Sequence, residues 1–124
     1  MSRTIAEQFI RALELLEQQS DVAPLCGLFA DDATLQNPLA PPRSGREGAR
    51  EFWQEYRKSF ADIRSSFSEV VMADEMAVLE WTSEGSTAAG SPISYEGVSL
   101  LQFEGDAIAR FRTYFDSQPL KTQL

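Results

Sequence analysis

No histidine occurs among the 124 residues, which removes imidazole general bases, histidine-dependent triads and most zinc sites. Acid/base chemistry must then fall to carboxylates, tyrosine or lysine. The single cysteine, Cys26, cannot form an internal disulfide. It sits in the apolar run Pro24-Leu25-Cys26-Gly27-Leu28-Phe29 with no imidazole to activate it, and reads as a small core residue. Asp31 and Asp32 are neighbouring carboxylates on a helix-to-strand turn. Adjacent side chains there point apart, so the pair reads as solvated and no metal site is expected.

The remaining composition bounds the answer. With 43% hydrophobic, 24% charged and 10% aromatic residues, the chain fits one globular domain over residues 1–124. Such a length buries about two-thirds of the surface that the unfolded chain exposes. Eleven basic against 19 acidic side chains give a net charge of −8, which argues against nucleic-acid backbones and anionic membranes as partners. No apolar run approaches a membrane span, and Glu7, Glu14 and Glu17 interrupt the first segment, so no signal peptide is read there. A cytoplasmic location is expected.

The elements that must position any site follow from periodicity. Ile5, Phe9, Leu13 and Leu16 form one helical stripe, with Thr4 and Glu7 spaced as a capping box at its start. Asp21 and Pro24 open a short second helix carrying Leu25, Leu28 and Phe29. An extended piece covers Ala33 to Asn37. The prolines of the segment Pro38 to Pro42 argue against regular structure, so an ordered loop or lid is expected there. Ser44 and Glu47 form a second capping box before a helix whose stripe is Ala49, Trp53, Tyr56 and Phe60, widened by Phe52.

From Ile63 the pattern changes to period two. Four strand-like runs are separated by Ala73-Asp74-Glu75, Ala89-Gly90-Ser91-Pro92 and Glu104-Gly105-Asp106. Helices first and an antiparallel meander second define an α+β domain with helices on one face of a curved sheet. Alternation on the second run puts Leu79, Trp81 and Ser83 on one side and Glu80, Thr82 and Glu84 on the other.

The runs Leu28-Phe29-Ala30-Asp31-Asp32-Ala33-Thr34-Leu35-Gln36-Asn37-Pro38, Gly45-Arg46-Glu47 and Ile108 through Arg112-Thr113-Tyr114-Phe115-Asp116 resemble the nuclear-transport-factor-2-like superfamily. Its members include SnoaL-like polyketide cyclases, ketosteroid isomerases and limonene epoxide hydrolases. The resemblance covers nearly the whole chain and implies a cone-shaped, cystatin-like arrangement: an antiparallel sheet wrapped around the N-terminal helices, open at one end into an apolar pocket.

Its catalytic residues carry over only in part. Where ketosteroid isomerases place a general-base aspartate, an oxyanion-hole tyrosine and a protonated aspartate, this chain has Asn37, Leu13 and Ser99. Neither the base nor the donor of that mechanism remains. Asn37 matches the water-positioning asparagine of limonene epoxide hydrolases, and Asp116 their water-activating aspartate. Trp81 and Ser83 replace the arginine and second aspartate of that pattern, and Leu35 replaces its tyrosine. SnoaL-type cyclases also place an aspartate near the end of the last strand, but their histidine has no counterpart.

The resemblance thus implies a protein that binds a small hydrophobic molecule. If it is catalytic, it is a cofactor-independent isomerase, cyclase or hydrolase with Asp116 as general base. Asn37 and Ser99 would then position the substrate oxygen, and Trp81 with Leu35 would exclude bulk water. Ser83, Tyr95, Leu13 and Tyr56 complete the expected substrate-binding set. The other readings are Asp116 as a strand-end partner of Arg112 or Arg110, Asn37 as a turn former and Trp81 as core. The alternative function is a non-catalytic ligand-binding or dimeric accessory protein. Glu80, Thr82, Glu84 and Glu96 on the outer sheet face suit a homodimer contact, as in relatives.

Overall fold

The computed structural model describes residues 2–116, 118 and 119. The first helix, α1, spans Ser2–Gln19, so it begins before Thr4 and the expected capping box lies inside its first turns. Its stripe of Ile5, Phe9, Leu13 and Leu16 is buried. Asp21 accepts the Ala23 amide at 3.3 Å ahead of α2 (Ala23–Cys26), a single turn with proline in its first positions. The third helix, α3 (Gly45–Lys58), starts after an extended Ser44. Ser44 stands at the N-cap as expected, but its side chain makes no capping hydrogen bond.

Six strands form one curved sheet in the order β2-β1-β6-β5-β4-β3. They are β1 (Phe29–Asn37), β2 (Ala40–Ser44), β3 (Phe60–Met72), β4 (Met76–Thr87), β5 (Pro92–Glu104) and β6 (Ala107–Phe115). From β3 to β6 the sheet is the expected meander. Three features differ from the sequence reading. Strand β1 begins at Phe29, read from sequence as part of the second helix, because that helix ends at Cys26. The segment expected as an irregular loop supplies β2, which includes Pro41 and Pro42. Strand β2 lies at the sheet edge, where a residue without an amide proton can leave its open side unpaired. Strand β1 pairs with β6 in parallel, so the sheet is mixed. That contact joins the start of the chain to its end and leaves no local periodicity to read.

Inner and outer positions alternate along β4 as the sequence indicates: Leu79, Trp81 and Ser83 are buried, and Glu80, Thr82 and Glu84 are exposed. The α1 stripe, Phe52 and Trp53 of α3, and the inner residues of the sheet share one core. Among the described residues no helix is long and apolar enough to cross a membrane.

Register across the sheet sets the inner wall. Ser65, Ser83 and Tyr95 form one row over β3, β4 and β5. Phe67, Trp81, Gly97 and Phe115 form the next, and Leu79, Ser99 and Thr113 a third. In the middle row Gly97 lets two rings meet across the backbone: a Cβ there would lie 2.6 Å from Cζ2 of Trp81 and 2.9 Å from Cβ of Phe115. Because that Cβ would also collide with the Tyr114 backbone carbonyl, which cannot swing aside, Gly97→Ala should lower the unfolding free energy by about 2 kcal/mol. Urea denaturation checks this, and an unmoved midpoint would contradict the packing described.

Candidate functional site

A cavity of about 180 Å³ lies between α1, α3 and the inner face of the sheet. Its walls are largely aromatic, with Phe9 from α1, Phe52, Trp53 and Tyr56 from α3, and Phe60, Phe67, Trp81, Tyr95, Phe111 and Phe115 from the strands. These rings lock one another edge to face. Trp53 stands 5.1 Å from Phe111, and Trp81 stands 5.4 Å from Tyr95. Exposed Leu39, Ala40 and Pro41 border the chamber, so the proline segment rims it as strand and turn.

The charged residues of the lining, Arg43 and Glu55, are paired with each other. Arg43 reaches the chamber wall, yet its guanidinium is spent on Glu51 at 2.7 Å and Glu55 at 2.6 Å. The polar atoms that do line the inner wall are hydroxyls, and a hydroxyl has one proton to give. Trp81 Nε1 donates to Ser99 Oγ at 2.9 Å, Ser99 donates to Thr113 Oγ1 at 2.9 Å, and Thr113 donates to the Val98 carbonyl at 3.4 Å. Each proton in that chain is committed to the next oxygen.

A second network converges on Glu17, the buried carboxyl of α1. Tyr56 Oη donates to Glu17 Oε2 at 2.6 Å, the Ser65 amide to Oε1 at 2.9 Å, and Ser65 Oγ to Oε2 at 2.6 Å. Ser65 Oγ also lies 2.6 Å from Ser83 Oγ. Burial raises the Glu17 pKa, against the lowering pull of the Ser65 and Tyr56 hydrogen bonds and the Arg57 charge. Burial also pushes the Tyr56 and Tyr95 hydroxyls up, and the Glu17 charge adds to both shifts. Two donors of the lining remain without an acceptor among the described residues: Nε1 of Trp53, which is buried, and the Tyr95 hydroxyl.

The residues singled out from sequence divide clearly. Trp81, Ser83, Ser99, Tyr95, Leu13 and Tyr56 all line the chamber. Asn37 borders it, with Oδ1 accepting the Leu39 amide at 2.8 Å, the geometry of a turn former. Leu35 is fully buried in the core and is not part of the lining. Asp116 does not stand in the pocket wall: it is exposed, just past the end of β6, and its Oδ1 accepts the Gln118 amide at 3.0 Å. Nor does it pair with Arg110 or Arg112. Phe111, Thr113 and Phe115 alternate onto the inner wall, which leaves residue 116 on the outer side. Cys26 is half-buried at the core margin, and Asp31 pairs with Arg46 at 2.6 Å on the surface. Among the described residues no group of three or more potential metal ligands converges.

Glu17 and Ser65 were not among the residues expected at the site, although both carried a signal. Glu17 continues the spacing Ile5, Phe9, Leu13 by another four residues, which places an acid on the buried stripe. Ser65 lies between Ile63 and Phe67 at period two, on the inward side of β3.

Known proteins place this architecture. The model of the SnoaL-like domain matches residues 6–111, and the chain belongs to that family. An NTF2-like protein from Anabaena variabilis superposes with a TM-score of 0.85 at 23% identity, over 94% of this chain and 90% of that one. A protein with a ketosteroid isomerase-like fold from Catenulispora acidiphila, in complex with trimethylamine, gives 0.81 at 17% identity, over 94% and 91%. TerC, co-crystallised with polyporic acid, gives 0.82 at 16% identity, over 96% and 97%. No curated protein sequence matches the chain.

Two outcomes follow from the networks. Removing the hydroxyl in Ser99→Ala leaves Nε1 of Trp81 buried without its acceptor, which should cost about 2 kcal/mol of stability in urea unfolding. For Glu17, the folded pKa lies above the ordinary 4.5, so the folded chain holds the proton more tightly than the unfolded chain. That contribution is complete below the unfolded value and is lost as pH rises through the folded value. The stability of the wild type relative to Glu17→Gln should therefore be greatest at acid pH, below the ordinary carboxyl value, and decline as the pH rises above it. A difference that grows with pH would contradict the burial of this carboxyl.

Proposed function

We propose that this protein binds a compact, neutral, ring-bearing molecule with one oxygen function. The observation that carries the reading is the lining itself: aromatic walls and hydroxyls, with its two charged residues, Arg43 and Glu55, paired with each other and the carboxyl of Glu17 outside the lining. An anionic ligand would find no uncommitted cation there, and an unpaired buried charge is costly. The size agrees, since about 180 Å³ is somewhat more than the roughly 150 Å³ apolar cavity that accepts one benzene. The bound complexes of the two structural relatives, one with trimethylamine and one with polyporic acid, support reading this cone as a small-molecule chamber.

If the bound molecule is also transformed, the acid/base group is Glu17, acting through Ser65 and Ser83, rather than the exposed Asp116 or the lining carboxylate Glu55, which is held by Arg43. No organic or metal cofactor enters this reading. On the outer face, Glu80, Thr82, Glu84 and Glu96 alternate with inward side chains, which supports its use as the polar contact of a homodimer.

Calorimetry with para-ethylphenol and para-ethylbenzoate tests the binding reading. The neutral phenol should bind at least about tenfold more tightly than the carboxylate, a difference of about 1.4 kcal/mol. Equal or inverted affinities, or no binding of either compound, would refute it.

A further inference from the structure

We infer that Glu17 sets the hydrogen-bond polarity of the chamber, drawing the protons of Tyr56 and Ser83 away from the cavity so that its polar corner accepts from a ligand hydroxyl. The inference deepens the reading above and rests on it, by naming the ligand class as a phenol or another ring carrying an O–H group.

Once ionised, at a pH above its raised pKa, the Glu17 carboxylate only accepts, so the 2.6 Å contacts to it fix the direction of two hydroxyls: Tyr56 and Ser65 must donate to it. Ser65 has then given its one proton. Its 2.6 Å contact with Ser83 Oγ must consequently run the other way, with Ser83 donating to Ser65. Both Tyr56 and Ser83 line the cavity, and both turn their protons toward Glu17. What they offer inward is lone pairs.

An ether or ketone placed against this corner would meet oxygen facing oxygen, whereas a hydroxyl could donate into it. The Tyr95 hydroxyl, across the sheet from Ser83 and without an acceptor among the described residues, could donate in turn to the oxygen of the ligand. Glu17 touches no ligand in this scheme. It acts through Tyr56, Ser65 and Ser83, as a positioning residue for specificity.

Replacing Glu17 by glutamine reverses part of the wiring. Where the side-chain NH₂ takes the place of Oε2, it donates to Ser65 and Tyr56 in place of accepting from them. Ser65 is then free to donate to Ser83, and Ser83 to donate into the cavity. The test is the affinity ratio of para-ethylphenol to para-ethylanisole, measured by calorimetry on the wild type, Glu17→Gln and Ser65→Ala.

The wild type should favour the phenol about tenfold, the worth of one directed hydrogen bond. The ratio should fall to unity or invert in Glu17→Gln. It should also fall in Ser65→Ala, which cuts the wire while leaving the carboxyl with Tyr56 and serves if Glu17→Gln does not fold. A general loosening of the fold would weaken both ligands together and leave the ratio unchanged, which would overturn the inference, as would a wild type that does not discriminate. Were neither ring compound to bind, the binding proposal itself would fall with it. Were both to bind equally well, only the polarity assignment would.

Discussion

One buried carboxyl organises the interior. Glu17 lies on the core-facing stripe of α1, where an acid is expensive unless its oxygens are occupied, and three donors occupy them. Those donors come from different parts of the chain: Tyr56 from α3, and the backbone and side chain of Ser65 from β3. The carboxyl thereby ties the first helix to the third and both to the sheet at the wall of the chamber. Its demand for protons then propagates, because each hydroxyl has only one to commit.

The same logic separates the two polar networks of the inner wall. The chain from Trp81 through Ser99 and Thr113 ends on a backbone carbonyl, so it is closed within the sheet and serves packing. The Ser83 to Ser65 to Glu17 chain ends on an ionisable group, so its direction depends on what occupies position 17. Around both, the aromatic lining excludes water and strengthens each hydrogen bond that remains. A chamber with rings on most sides and one polar corner selects its ligand by shape first and by proton direction second.

Much of this architecture was legible in the chain. The stripes of α1 and α3 and the period-two runs from β3 to β6 marked an α+β domain, because helices and strands bury one face each and say so locally. The alternation on β4 put Trp81 and Ser83 on the inner wall, and the family resemblance added Ser99 and Leu13. What was not legible depended on register or on distant pairing. The parallel β1–β6 contact and the proline-bearing edge strand β2 are tertiary facts without a local pattern. Asp116 lies outside the chamber for a related reason: which side of β6 faces inward is set by its pairing in the sheet, and Phe111, Thr113 and Phe115 take the inner side. Glu17 was overlooked because an acid in a helix reads as solvent-facing, although its spacing of four from Leu13 placed it with the core.

In the complex a ligand hydroxyl meets the corner formed by Tyr56 and Ser83. A crystal structure of the protein with para-ethylphenol examines this most directly. The ring should lie among the chamber aromatics with its oxygen within hydrogen-bonding distance of Ser83 or Tyr56. A phenol lodged at the rim beside Arg43, with its oxygen turned to solvent, would contradict it.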